Sequence, residues 1–323
     1  MYRLPDLSVW TGRIDPGGDE ALRWHQVIQP VNLQEDVPAA TRDSSSFAIL
    51  GFCCDEGVRR NFGRTGAQEG PAAIRKALRN LCVHPESTAS ILDCGDVICS
   101  GEKLEAAQSM LGKKVHQLLE AGHKPVVLGG GHEIALGHFL GIRPYVSRRR
   151  QTLGIINLDA HFDLRQYNDQ GNSGTPFLQI SDIVKADGGD FHYLVLGVEE
   201  SANTRDLFNR ARALNVSSCT RDEADTKGAD SLLTAIDTFV SRVQALYVTL
   251  DLDVINQAYA PGVSAPSSFG WTPQLIARLL ERIFSTGKVV SCDIAELNPS
   301  LDADARTARV AAGFIYQVVK MWR

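Results

Sequence analysis

The chain has 323 residues, 44% hydrophobic and 22% charged, with a net charge of −5. That length suits one large α/β domain or two small ones, and the apolar fraction is enough for a substantial core. The mild acidity argues against nucleic-acid and anionic-membrane partners, which favour basic patches, but leaves room for a small anionic substrate held by a few cations.

The opening stretch, to about residue 45, is polar and punctuated by Pro and Gly, and reads as an arm packed on a single domain spanning 46–323. It lacks a basic start followed by an apolar core, so no signal peptide is expected. No run nears the ~18 apolar residues of a membrane span. The seven cysteines (Cys53, Cys54, Cys82, Cys94, Cys99, Cys219 and Cys292) are odd in number and form no C-x-x-C. They read as reduced thiols of a cytoplasmic protein rather than as a disulfide framework or a thiolate zinc site.

From there, short apolar runs alternate with amphipathic stretches. The runs cover 47–52, 91–92, 125–128, 153–158, 193–197, 245–250 and 288–291. Helical patterns include 71–81, 102–121, 230–241, 273–284 and 304–322. Pro71 and Pro273 suit first-turn positions, and Thr272 is a natural N-cap. The runs are continuous rather than alternating, as expected of strands buried on both faces of a parallel sheet. Together these features predict a three-layer α/β/α sandwich with a mostly parallel central sheet. Ligands in such sheets bind beyond the carboxyl ends of the strands.

Four of those ends carry unusual residues: Gly129-Gly130-Gly131-His132-Glu133, Asp159-Ala160-His161-Phe162-Asp163, Asp251-Leu252-Asp253 and Cys292-Asp293-Ile294-Ala295-Glu296. While the backbone stays extended, residues i, i+2 and i+4 face one way, which would gather Asp251 with Asp253, and Asp159 with His161 and Asp163. The glycines before His132 would let the backbone turn tightly and approach closely. Four carboxylates at an apolar rim resist ionisation unless cations join them. Two divalent ions would balance the four charges, with two imidazoles completing the shell. Oxygen-rich ligands with two nitrogens and no sulfur favour Mn²⁺ over zinc. Two such ions about 3.5–4 Å apart can share and activate a water. A binuclear metal hydrolase with ligands His132, Asp159, His161, Asp163, Asp251 and Asp253 is therefore expected.

The segments G-G-G-H-E, N-L-D-A-H-F-D, T-L-D-L-D-V-I-N-Q-A-Y-A-P-G-V-S-A-P and D-I-A-E-L-N-P resemble the motif series of the ureohydrolase family, which holds arginases and agmatinases. The resemblance spans residues 47 to about 315. It implies that Asp159 and Asp251 bridge two Mn²⁺ ions, that His132 and Asp163 complete one site, and that His161 and Asp253 complete the other. It also implies that Glu296 pairs with the amidinium or guanidinium of the substrate and that the chain is a homo-oligomer; in the mechanism expected here, Asp163 relays a proton to the departing nitrogen.

Where arginases and agmatinases carry His-Gly-x-Pro, this chain has Ser173-Gly174-Thr175-Pro176. Serine does not titrate near neutrality but can still hydrogen-bond. Arg165, and Arg59 and Arg64 in an early loop, offer forked donors suited to carboxylates. These departures are similar to the formimidoylglutamase branch, whose substrate joins an amidine to a dicarboxylate. The implied reaction is hydrolysis of N-formimidoyl-L-glutamate to L-glutamate and formamide in histidine degradation. Substrate contacts are then Arg165, Ser173, Arg59, Arg64 and Glu296. The alternatives are another ureohydrolase, such as a guanidinobutyrase or agmatinase releasing urea, and a non-catalytic binding protein on the same fold.

Overall fold

The computed structural model describes residues 1–41, 45–84 and 89–322. Residues 42–44 of the expected arm and residues 85–88 and 323 of the expected domain lie outside the described residues.

Among the described residues, ten strands make one sheet. In chain order they are β1 (Tyr2–Arg3), β2 (Gln29–Pro30), β3 (Ser46–Cys53), β4 (Ser90–Ile98), β5 (Lys124–Leu128), β6 (Leu153–Leu158), β7 (His192–Val198), β8 (Ser217–Thr220), β9 (Ala245–Asp251) and β10 (Val289–Ala295). Their spatial order is β1-β4-β3-β5-β10-β9-β6-β7-β8, with β2 also pairing with β4. Only β1 runs antiparallel, against β4; the other pairings are parallel. The helices are α1 (Trp24–Val27), α2 (Glu56–Arg60), α3 (Gly70–Leu78), α4 (Leu104–Glu120), α5 (Ile134–Arg148), α6 (Pro176–Ala186), α7 (Arg205–Ala213), α8 (Arg221–Lys227), α9 (Ala229–Val240), α10 (Pro273–Phe284) and α11 (Arg306–Met321).

Alternate residues of a strand feed opposite faces. In β3, Phe47 and Ile49 join a core that α3, α8, α9, α10 and α11 cover. Ala48, Leu50 and Phe52 join a second core under α4, α5, α6 and α7. Both faces are thus apolar, which is why these strands read as continuous hydrophobic runs and why the α/β/α expectation holds. Among the described residues no helix is long and apolar enough to cross a membrane.

Local signals behave as their chemistry requires. Thr272 Oγ1 accepts the Leu275 N–H and Pro273 opens α10. Pro71 lies in the first turn of α3. The pattern over 304–322 starts two residues too early, because Asp304 and Ala305 are left-handed, with φ of 57° and 51°, and a right-handed helix cannot pass through them. Strand β8, with the sequence SSCT, escapes the hydrophobic signal because it is a polar sheet edge.

The first residues supply β1 and β2, which pair with β4. Beneath them Arg75, buried, binds Asp93 at 2.9 Å and Asp96 at 2.7 Å. Arg3 binds the other oxygen of Asp96 at 2.7 Å, and Trp10 Nε1 donates to Asp93.

The order β5-β10-β9-β6 positions the site. In the chain these four strands come in the order 5, 6, 9, 10, yet in the sheet they are neighbours, and they are the four that carry the strand-end motifs. Their ends are level: Leu128 pairs with Ile294, Ala295 with Asp251, and Leu250 with Leu158.

Candidate metal centre

The loop after β5 passes very close to its neighbours. A Cβ on Gly130 would lie 1.7 Å from the Cys54 carbonyl oxygen, and one on Gly129 would lie 2.6 Å from that of Ile294. Glycine is required here for close approach; neither residue adopts a positive φ. Gly131 N–H donates to Cys54 O, and Gly130 O accepts from Glu296 N–H at 2.8 Å. His132 thereby sits over the ends of β10 and β9.

His132 Nδ1 faces three carboxylate oxygens: Asp159 Oδ2 at 3.1 Å, Asp163 Oδ2 at 3.0 Å and Asp251 Oδ2 at 3.1 Å. His161 Nδ1 lies 3.4 Å from Asp159 Oδ1 and 2.9 Å from Asp253 Oδ2. Two ligand groups result, His132–Asp159–Asp163 and Asp159–His161–Asp253, each with its donor atoms within 4.8 Å of one another. Asp159 belongs to both and presents a different oxygen to each. Asp251 stands against the first group through Oδ2. The chain thus has a binuclear metal-binding site.

Extended backbone does not produce this convergence. β6 ends at Leu158 and Asp163 is left-handed at φ 49°. β9 ends at Asp251, and a 3-10 turn, Leu252–Val254, carries Asp253. The carboxylates themselves shape the turns: Asp159 Oδ1 accepts His161 N–H at 2.6 Å and Asp251 Oδ1 accepts Asp253 N–H at 2.9 Å. Asn203 Oδ1 takes the Phe162 N–H.

The donor set fits cations. His132 Nδ1 is fully buried and makes no hydrogen bond, although three carboxylates surround it. Its other nitrogen, Nε2, lies 3.0 Å from Thr249 Oγ1, and that hydroxyl donates to Asp293 Oδ1 at 2.6 Å. The hydroxyl has one proton, so Nε2–H must be the donor to it, and the Nδ1 lone pair is left for a metal. Asp293 Oδ2 is held in turn by Tyr247 OH at 2.5 Å and His138 Nδ1 at 2.6 Å.

The electrostatics agree. Burial opposes charge on His132, yet Asp159, Asp163 and Asp251 drive its pKa well up. His161 is raised likewise against burial, with Asp253 first among the causes. Burial, then Asp253 and Asp159, pushes Asp251 well up, and burial and Asp159 push Asp163 to about 6. Without metal, protons supply the positive charge that this carboxylate cluster demands.

Glu296 follows β10 with φ 70° and is buried. Its Oε1 accepts the His132 N–H at 2.8 Å. Burial and the adjacent Glu133 raise its carboxyl to about 8. A cleft of about 260 Å³ opens over His132, His161, Asp163, Asp251, Asp253 and Glu296.

The expected substrate contacts separate. Arg165 and Ser173 line the cleft; the Arg165 N–H donates to Gly174 O, but its guanidinium has no hydrogen-bond or ion-pair partner among the described residues. Arg64 also lines it, but its guanidinium donates to the Ser264 and Val263 carbonyls. Arg59 does not line the cleft; it pairs with Glu56 and Glu102. Asn61 and Phe62, which the sequence reading passed over, line it as well, and Asn61 Nδ2 donates to Ser173 Oγ at 3.1 Å. Their place between Arg60 and Arg64 was the available signal. The Thr249–Asp293–His138 chain also went unread, because alternate polar residues inside a buried strand were visible but had no assigned partner.

A profile of the Arginase family matches residues 45–320. Similar curated proteins include a formimidoylglutamase of Aeromonas hydrophila, 46% identical over 316 residues and covering 98% of each chain. Another is a formimidoylglutamase of Ralstonia nicotianae, 45% identical over 323 residues, covering 99% of this chain and 97% of the relative. A solved formiminoglutamase of Trypanosoma cruzi with Mn²⁺ superposes with a TM-score of 0.77 at 28% identity, over 88% of this chain and 95% of that one. Profile, relatives and the four strand-end motifs agree, and the chain belongs to the arginase family.

Proposed function

We propose that this chain hydrolyses N-formimidoyl-L-glutamate to L-glutamate and formamide at a centre of two Mn²⁺ ions. The observation that carries the reading is the placement of Glu296, a buried carboxylate bonded to the His132 loop and lining the same cleft as the His and Asp cluster. End-to-end similarity to formimidoylglutamases supports the choice of substrate.

His132, Asp163 and Asp251 would hold one ion, His161, Asp253 and Asp251 the other, with Asp159 common to both. The oxygen-rich, sulfur-free set favours Mn²⁺. Bound there, two divalent cations supply an activated water at neutral pH and stabilise charge on the attacking oxygen. Glu296 pairs with the amidinium nitrogens and turns the formimidoyl carbon toward the metal ligands, which is catalysis by positioning. Asp163, which lines the cleft, takes the proton of the attacking water and delivers it to the departing glutamate nitrogen. Arg165, with its guanidinium free at the cleft, receives a substrate carboxylate, and Ser173 with Asn61 adds polar contacts. Arg64 contributes mainly by closing the loop onto Ser264. The free thiols support a reducing compartment, the cytoplasm.

The test is a product assay. Metal-free protein is reconstituted with Mn²⁺ and offered N-formimidoyl-L-glutamate, guanidinobutyrate, agmatine and arginine separately. Formamide from the first, at a kcat/KM at least a hundredfold above urea release from the others, is expected. Preferential urea release would replace this reading with a guanidine-directed one.

A further inference from the structure

Seven residues other than glycine adopt a positive φ among those described: Phe62, Arg150, Asp163, Asn215, Glu296, Asp304 and Ala305. Three of them line the cleft, and two of those three, Asp163 and Glu296, are assigned to the chemistry above. The third is Phe62, for which neither the metals nor the ligand turns supply a reason.

Phe62 ends helix α2. Its N–H donates to Arg59 O at 3.1 Å and the Gly63 N–H donates to Val58 O at 2.8 Å. That bond pair closes a helix with the residue after the C-cap in the left-handed region, a position where glycine is favoured because it has no Cβ to clash. Here the position holds a phenylalanine at φ 60° whose surface is 99% exposed. An apolar ring in water gains nothing from burial, and a left-handed backbone is unfavourable for any residue with a Cβ. Both costs fall on one residue at the mouth of the site. Neighbours hold the loop rather than relieve it: Asn61 donates to Ser173, and the Arg64 N–H donates to Ser264 Oγ.

The surroundings indicate what the ring meets. Phe62 is the one Phe, Tyr or Trp among the described residues lining the cleft. Its neighbour Asn61 and the guanidinium arm of Arg165 converge on Gly174, where an added Cβ would lie 2.7 Å from Arg165 Cδ and 3.2 Å from Asn61 Nδ2. Phe62 therefore borders the same cleft as Arg165, the arginine assigned above to a substrate carboxylate. A dicarboxylate anchored there, with its amidine head at Glu296, passes an aliphatic chain across that cleft.

We infer that Phe62 is a specificity-determining contact: its ring closes on the methylene chain of the substrate, and the exposed left-handed conformation is kept to aim it there. This rests on the reading of the site as one for an amidine-bearing dicarboxylate.

The experiment compares Mn²⁺-loaded wild type with Phe62→Gly, Phe62→Ser and Phe62→Leu, reading formamide release from N-formimidoyl-L-glutamate, Tm and mass in solution. Phe62→Gly and Phe62→Ser are expected to raise KM at least fivefold with kcat within twofold of wild type. Phe62→Leu, which keeps an apolar surface, gives an intermediate KM. Because the ring buries nothing and glycine suits the backbone, Phe62→Gly keeps a Tm no lower than wild type. A KM within twofold of wild type in Phe62→Gly, with wild type active, overturns the contact alone. A changed mass in solution with unchanged KM places Phe62 between copies of the chain and also overturns it. No formamide from wild type overturns the substrate reading and the contact together.

Discussion

Glu296 Oε1 accepts the backbone N–H of His132 at 2.8 Å. The carboxylate that would hold the substrate's amidinium is thus fixed to the loop that carries His132, so the proposed head-group and metal sites share one frame. Glu296→Gln keeps an acceptor for that N–H but loses the charge that pairs with the amidinium. Its kcat/KM should fall at least tenfold, about 1.4 kcal/mol, while two Mn²⁺ per chain still bind. A smaller fall would remove Glu296 from substrate pairing.

Asp159 offers Oδ2 to the His132 group and Oδ1 to the His161 group. Its loss should therefore disturb both ions, whereas loss of His161 should spare the ion on the His132 side. Elemental analysis after desalting should find well under one Mn²⁺ per chain in Asp159→Ala and about one in His161→Ala. Equal contents in the two variants would contradict a shared ligand.

Thr249, Asp293 and His138 hold the far side of the His132 ring. Outer partners of metal ligands typically control affinity by about 10–100-fold. Thr249→Val removes the acceptor for Nε2–H with little change in shape, so calorimetric Mn²⁺ affinity should weaken by about that range with the fold intact by circular dichroism. Unchanged affinity would make the chain of hydrogen bonds a packing feature only.

Metal binding should release protons. Carboxylates hold both His132 and His161 well above their ordinary pKa in the metal-free site, so below those values each imidazole must lose a proton before it can ligate. Apparent Mn²⁺ affinity should rise with pH across the neutral range, and calorimetry in buffers of different ionisation enthalpy should show net proton release. Affinity independent of pH would mean the imidazoles are not ligands.

Burial resists charge on Asp96, but Arg75 and Arg3 outweigh it and hold the carboxyl below its usual range. A carboxyl depressed in the folded state stabilises the fold above the unfolded carboxylate value, near 4, and that stability is lost as pH falls through the folded value. Asp96→Asn should thus lower Tm at pH 7 and flatten the acid limb of the stability profile. An unchanged acid limb would assign acid unfolding elsewhere.

The sequence exposed the fold because strands buried on both faces cannot hide their apolar runs, as β3 and β9 show. It concealed β8, whose residues are polar at a sheet edge, and the true start of α11, which two left-handed residues delay. The cluster of His and Asp residues was legible because carboxylates and imidazoles stand out at the ends of buried apolar strands. Their convergence does not come from the extended backbone that the i, i+2, i+4 spacing predicts: a 3-10 turn and a left-handed Asp163 bring them together. Arginines were harder to place. Arg59, Arg64 and Arg165 look alike in sequence, and only their partners in space distinguish two engaged guanidinia from a free one.

The most direct measurement is formamide release from N-formimidoyl-L-glutamate as Mn²⁺ is titrated into metal-free protein. The account predicts no turnover without metal and a rate that rises until two equivalents per chain and then holds. A plateau at one equivalent, or no formamide at any Mn²⁺ level, would contradict it.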